Sequence, residues 1–186
     1  MSYETYFFAM DAESVASQFR SARDELLQRV ESHIREQNEA DDERHYNEGQ
    51  IRRTLAKAGA ICERKLPEEC APEFFDALCW LAEVVGEKIT IGSFLGFRHM
   101  QFLDEVGIWP WLLRSKPPFM VPVCKHAPPQ VGFLSTDDIA KFALPAFAKL
   151  PAPRAHPTEV NYARQEFQEV VESLAEDKLD LLAVLM

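Results

Sequence analysis

The segment PEFFDALCWLAEVVG, residues 72–86, decides the predicted fold class. Its apolar residues recur three and four positions apart, which is the spacing of one face of an α-helix. Proline is tolerated in the first turn of a helix, and glycine commonly follows the last turn. The segment therefore predicts a helix that begins after Pro72 and ends at Gly86, with one face in a core.

Two helices are predicted on the amino-terminal side of this segment. Asp11 is a suitable N-cap for a short helix that extends to Phe19. Ser21 and Asp24 have the spacing of a capping pair, which predicts a longer helix to about Gln37. The apolar residues of this second helix share one face, so we expect them to contact the core.

Further helical patterns cover residues 50–58, 93–106 and the stretch from 158 onward. Gly59 is the predicted end of the first of these helices. Ser135 is a predicted N-cap for another helix, whose apolar stripe includes Phe142. Pro145 lies inside that stripe and predicts a break at Leu144.

Short strands are predicted in three places. Residues 2–9, SYETYFFA, are rich in aromatic and β-favouring types and predict a strand. Residues 119–123 predict an edge strand, and residues 181–185 predict either a strand or a helix. The fold class is therefore mainly α with a small β component (α+β), with about six to seven helices and one short sheet.

Length and composition predict a single compact domain over residues 1–186. The chain is 47% hydrophobic and 27% charged, which are ordinary globular values that exclude global disorder. No internal repeat or glycine-rich linker divides it. Ten of the 12 prolines lie between residues 110 and 157, which predicts a proline-rich connection within the domain.

The charge is strongly acidic. Thirty Asp and Glu residues against 20 Lys and Arg residues give a net charge of −10, which opposes binding to nucleic acids and anionic membranes. The acidic excess lies in residues 1–50 and 158–186. It predicts either a surface for a basic protein partner or an ordinary solvated surface that aids solubility.

The cysteine pattern and the amino terminus predict a cytoplasmic protein with reduced thiols. Residues 1–10 lack a signal-peptide pattern, and no apolar run reaches the roughly 20 residues of a membrane span. The four cysteines, at positions 62, 70, 79 and 124, form no C-x-x-C pair.

Three stretches together resemble the YfbM-like group of uncharacterised bacterial proteins. They are the amino-terminal strand leading to Asp11, the segment GFLSTDDI at residues 132–139, and the closing helix with its apolar tail at residues 167–185. The resemblance implies a mixed, mainly helical fold. It brings no catalytic residues with it, because the group has no established activity.

The clearest catalytic candidate is the pair Cys124 and His126. A thiol becomes a nucleophile when a base or a cation stabilises the thiolate, and Lys125 adds a positive charge between the two residues. A zinc site would need two further ligands, for which Cys62 and Cys70 are available. No third group that would orient His126 is evident.

Other sites for metals and cofactors are weaker. Asp41, Asp42 and His45 could hold a divalent cation, but an acidic loop usually stays hydrated. The glycine-rich motifs that bind nucleotides are absent. We therefore predict no metal and no cofactor.

Trp109, Trp111 and Phe119 are candidate partner-binding residues because large aromatics are enriched at interfaces. The alternative is that they attach a loop to the core.

The residues favour a non-enzymatic binding or regulatory domain that recognises a protein partner, a basic one if the acidic surface is used. The first alternative is a small cysteine-dependent enzyme that uses Cys124 and His126. The second is a homo-oligomeric protein without a ligand. The sequence does not fix the oligomeric state.

Overall fold

The computed structural model describes residues 5–40, 46–90, 109–113, 115–124, 130–152 and 157–186. Four strands form one antiparallel sheet in the order β2-β1-β4-β3. The strands are β1 (Thr5–Met10), β2 (Glu87–Ile89), β3 (Gln130–Leu134) and β4 (Asp180–Leu185).

Most of the described residues are helical. The α-helices are α1 (Ala12–Ser21), α2 (Arg23–Ala40), α3 (Glu48–Cys62), α4 (Glu73–Val85), α5 (Trp109–Leu112), α6 (Thr136–Asp138), α7 (Leu144–Phe147) and α8 (Pro157–Asp177). A π-helix, Ile139–Ala143, connects α6 to α7. The predicted class, a mainly helical α+β domain with one short sheet, is confirmed.

The two ends of the described chain pair with each other at the centre of the sheet. Strands β1 and β4 are antiparallel over six residue pairs, from Thr5 opposite Leu185 to Met10 opposite Asp180. The stretch 181–185 is therefore a strand and not a helix. The predicted amino-terminal strand is confirmed from Thr5 onward and continues to Met10.

Helices cover both faces of the sheet. Phe8 and Leu182 point into one core, which α1 to α4 complete. Phe7 and Leu181 point into a second core, with α8 and the π-helix on the other side. Because both faces are buried, β1 and β4 are apolar along almost their whole length and show no alternation of polar and apolar residues.

The first helix has the predicted cap and the second does not. The carboxylate of Asp11 accepts the backbone N–H of Ser14 at 2.9 Å, as expected, and α1 continues past Phe19 to Ser21. The Ser21 hydroxyl donates to the carbonyl of Ser17 at 2.9 Å, so it belongs to the end of α1. The prediction that Ser21 caps the second helix is therefore wrong.

The third helix is longer than predicted at both ends. Asn47 and Gln50 form a capping box at its start. Gly59 lies inside the helix and not at its end. A Cβ atom there would lie 3.3 Å from Nη2 of Arg23 and 3.6 Å from Cδ1 of Leu27, so position 59 faces side chains of α2. Arg64, with φ at 58°, follows the end of α3.

The helix predicted over residues 72–86 is confirmed as α4, Glu73–Val85. Gly86 follows its last turn, and a Cβ atom there would lie 2.7 Å from the carbonyl oxygen of Ala9. A side chain at this position would therefore push α4 away from β1.

The helical segment after β3 is capped as predicted but changes its winding. The Ser135 hydroxyl accepts the N–H of Asp138 at 3.2 Å. The next turn is π-helical, and the N–H of Leu144 donates to the carbonyl of Ile139. This winding shifts the side chains relative to an α-helix. Phe142 is therefore exposed, although the α-helical stripe predicted that it would be buried.

The predicted edge strand is not formed, and one predicted helix cannot be compared with the structure. Residues 119–123 form no strand, and Phe119 is buried against Phe19. The helix predicted over residues 93–106 lies outside the described residues. None of the described helices is both long and apolar enough to cross a membrane.

Asp180, at the start of β4, binds the first turns of two helices. Its Oδ2 accepts the N–H of Ala12 at 3.0 Å, at the start of α1. Its Oδ1 accepts the N–H of Thr136 at 2.7 Å and the Thr136 hydroxyl at 3.0 Å, at the start of α6. A carboxylate at a helix N-terminus satisfies unpaired N–H groups and complements the helix dipole.

We expect Asp180→Ala to lower the free energy of unfolding by about 1 to 4 kcal/mol, because a cap is lost from two helices. Urea denaturation followed by circular dichroism measures this change. Asp177→Ala is the matched control. Asp177 is exposed at the end of α8, and its replacement should change stability by less than about 0.5 kcal/mol. Equal losses in the two variants would contradict the role of Asp180.

Candidate binding surface

The structure describes one member of the predicted catalytic pair. Cys124 is half-buried, and the carbonyl of the preceding residue, Val123, accepts the N–H of Cys70 at 2.8 Å. His126 and Lys125 lie outside the described residues. The catalytic pair therefore stays a prediction.

The other thiols lie in the core. Burial raises the pKa of the Cys62 thiol to about 11 and raises the pKa of Cys79 further. Cys70 is buried as well. With these raised pKa values the Cys62 and Cys79 thiols are protonated at neutral pH, so they are poor nucleophiles. No cluster of three or more potential metal ligands occurs among the described residues, and Asp41, Asp42 and His45 lie outside them.

The candidate aromatic residues pack inward where the structure describes them. The ring centres of Phe119 and Phe19 are 5.2 Å apart, and Phe119 is only 6% exposed. Trp111 is half-buried, with its ring 5.3 Å from that of Phe147. The two residues belong to the cores on opposite sides of the sheet. The side chain of Trp109 is outside the described part.

The acidic excess of the carboxy-terminal region is concentrated on one helix. The sequence of α8 contains six acidic residues and one basic residue, Arg164. Its apolar face is buried in the second core. Glu169, Glu172 and Glu176 are exposed at positions i, i+3 and i+7, so they share the outward face of the helix.

The carboxylates on this face have neutral neighbours. Glu169 accepts from the amide of Gln165 at 3.0 Å, and Glu172 accepts from Gln168 at 2.7 Å. In the part of the chain that the structure describes, neither carboxylate has an ion-pair partner within 4.0 Å. The charge of this face is therefore available to a partner. We call Glu169, Glu172, Glu176 and Asp177 the α8 acidic surface.

Helix α2 is acidic too, but arginines neutralise part of its charge. Arg35 contacts Glu31 at 2.8 Å and Glu48 at 2.6 Å. The hydrogen bonds to Glu48 and Glu31 raise the pKa of Arg35, and Arg35 lowers the pKa of Glu48. The two acidic ends of the chain therefore differ in how much of their charge is paired.

The last turn of α8 places negative charge where the helix dipole opposes it. Glu176 and Asp177 lie at the carboxy-terminal end, and no basic residue occurs in that turn. Lys178 follows with φ at 58°, and the N–H of Leu179 closes the helix on the carbonyl of Leu174. Acidic residues at this end of a helix interact unfavourably with the helix dipole and reduce helix stability.

A family model described as a domain of unknown function, DUF7691, matches residues 1–185. The chain belongs to this family. No curated protein and no solved structure gives a significant match. The DUF7691 assignment does not bear on the resemblance to the YfbM-like group, which stays a prediction.

The sequence of this DUF7691 chain shows where the acidic residues are in excess, but it does not show which of them form ion pairs. Counting charges gave a larger excess for residues 1–50 than for residues 158–186. Ion pairs such as Arg35 with Glu48 lie 13 positions apart and depend on how α2 packs against α3. The sequence of α8 did contain an indication that its acids are not neutralised. Gln165 and Gln168 lie four positions before Glu169 and Glu172, where a basic residue could have formed an ion pair.

Thiol labelling tests the cysteine-enzyme alternative. Each cysteine is alkylated in the native protein and in urea, and the rates are compared by peptide mass spectrometry. We expect Cys62, which is buried, to react at least roughly tenfold more slowly in the native protein, and Cys79, which is partly buried, to react more slowly as well. A Cys124 that is activated by His126 must react faster in the native protein than in urea. A slower native rate would remove Cys124 as a nucleophile.

Proposed function

We propose that this protein is a non-enzymatic binding or regulatory domain that recognises a basic protein partner through the α8 acidic surface. The observation that carries the proposal is the row of exposed carboxylates on one face of a helix whose other face is fixed in the core; among the described residues these carboxylates have no ion-pair partner. A rigid charged surface attracts an oppositely charged partner and orients it during encounter.

The proposal assigns different roles to the two faces of α8. The inward residues, such as Phe167 and Val171, are fully buried and hold the helix on the sheet. The outward carboxylates make no contact that the fold requires. Substitutions on the outward face should therefore change binding and leave the fold intact.

A charge-reversal experiment tests the proposal. The variant carries Glu169→Lys, Glu172→Lys and Glu176→Lys. We expect it to bind the partner on the order of tenfold to a hundredfold more weakly than the wild type, because attraction becomes repulsion. The partner is captured from lysate of the source organism with the wild-type protein, identified by mass spectrometry, and titrated against both proteins at low and moderate salt.

The matched control reverses three exposed glutamates of α2, with Glu25→Lys, Glu36→Lys and Glu39→Lys. It changes the net charge by the same amount on a different surface. Binding that is lost equally in both variants would reflect net charge and not the α8 acidic surface. An affinity that is independent of salt would also contradict the proposal, because exposed charges are screened by ions.

A further inference from the structure

A cleft of about 260 Å³ lies between α3 and α4, on the side of the sheet opposite to α8. Helix α3 lines it with Gln50, Arg53, Thr54 and Lys57, and α4 lines it with Glu73 and Asp76. The α3 residues lie at positions i, i+3, i+4 and i+7, which share one helical face. Arg53 and Glu73 are exposed, and Gln50, Lys57 and Asp76 are half-buried, so the lining is polar and reachable from solvent.

Thr54 is the buried polar residue of the cleft wall. It is 7% exposed, whereas Ile51 and Ala58, one turn away on either side, are apolar and almost fully buried. An aliphatic residue at position 54 would complete the apolar stripe. The hydroxyl instead adds a polar group to the wall of the cleft.

Four charged side chains of both signs surround the cleft without pairing with each other. Arg53 and Lys57 lie on α3, and Glu73 and Asp76 lie on α4. No ion pair within 4.0 Å involves them in the described ranges. Lys57 lies over the ring of Phe74, with Nζ 5.3 Å from its centre. Opposite charges that line one cleft and remain unpaired are available to a ligand that carries both signs.

Asp76 is the acid of the cleft whose ionised form is disfavoured by its surroundings. It is half-buried, and burial, followed by the charge of Glu73, raises the pKa of its carboxyl group. An ammonium group bound beside it would offset this cost of burial. The basic residues on α3 supply the complementary site for a carboxylate.

We propose that the α3–α4 cleft binds a free amino acid, with its ammonium group beside Asp76 and Glu73 and its carboxylate beside Arg53 and Lys57. The volume supports this size class, because it lies just below the roughly 300 to 1,000 Å³ of sites for drug-sized ligands. The cleft belongs to the helices of the first core and is independent of the α8 acidic surface.

Isothermal titration of the purified full chain with each of the twenty amino acids tests the proposal. At least one should bind, and its N-acetyl and carboxamide derivatives should each bind at least roughly tenfold more weakly, because each lacks one of the two charges. Absence of binding by all twenty would overturn the proposal. Equal binding of either derivative would overturn the zwitterion assignment.

Matched variants locate the ligand in the cleft. Arg53→Gln and Asp76→Asn should each weaken binding roughly tenfold or more, whereas Arg52→Gln should not, because Arg52 is exposed and does not line the cleft. Asp76→Asn replaces a carboxyl group whose pKa is raised by burial. The variant should therefore be at least as stable as the wild type at neutral pH. Thermal unfolding of each variant checks this. Binding that is unchanged in both cleft variants would place the ligand elsewhere.

Discussion

The carboxylate of Asp180 connects the three segments on which the sheet depends. It lies at the start of β4, and its two oxygens accept N–H groups from the first turns of α1 and α6. These helices directly follow β1 and β3, which are the two strands that pair with β4. One side chain therefore links the ends of both neighbouring strands to the start of β4. The backbone pairing of β4 with β1 and β3 sets the register, which decides the side chains that enter each core, because a shift of one residue would exchange the two faces.

The central sheet also separates the two proposed sites. Helix α8 covers one face and directs the α8 acidic surface outward, whereas α3 and α4 cover the other face and enclose the cleft between them. Each site retains polar or charged groups at positions where stability alone would favour others. In α8 these are acids at the negative end of the helix dipole, and in the cleft it is the half-buried Asp76. Such local costs are typical of functional surfaces.

Helices with a continuous apolar stripe and a local cap could be predicted closely. The helix of residues 72–86 is an example, because its periodicity, its proline and its glycine all act within a few turns. Two predictions failed because a local pattern did not decide how the helix continued. Gly59 is a common type of helix terminator, but here α3 continues past it to Cys62. Phe142 fits an α-helical stripe, but the π-helix turns it toward solvent.

The sequence by itself determined the helical class, the apolar strand at the amino terminus and the acidic charge, because composition and periodicity are local properties. Only the tertiary structure decided that residues 181–185 form a central strand, since an apolar run of five residues fits a strand or a helix until a partner strand pairs with it. It also decided which charges are neutralised and which remain available. The contact between Asp180 and Ala12 spans 168 positions, and no local pattern records which residues meet over such a distance.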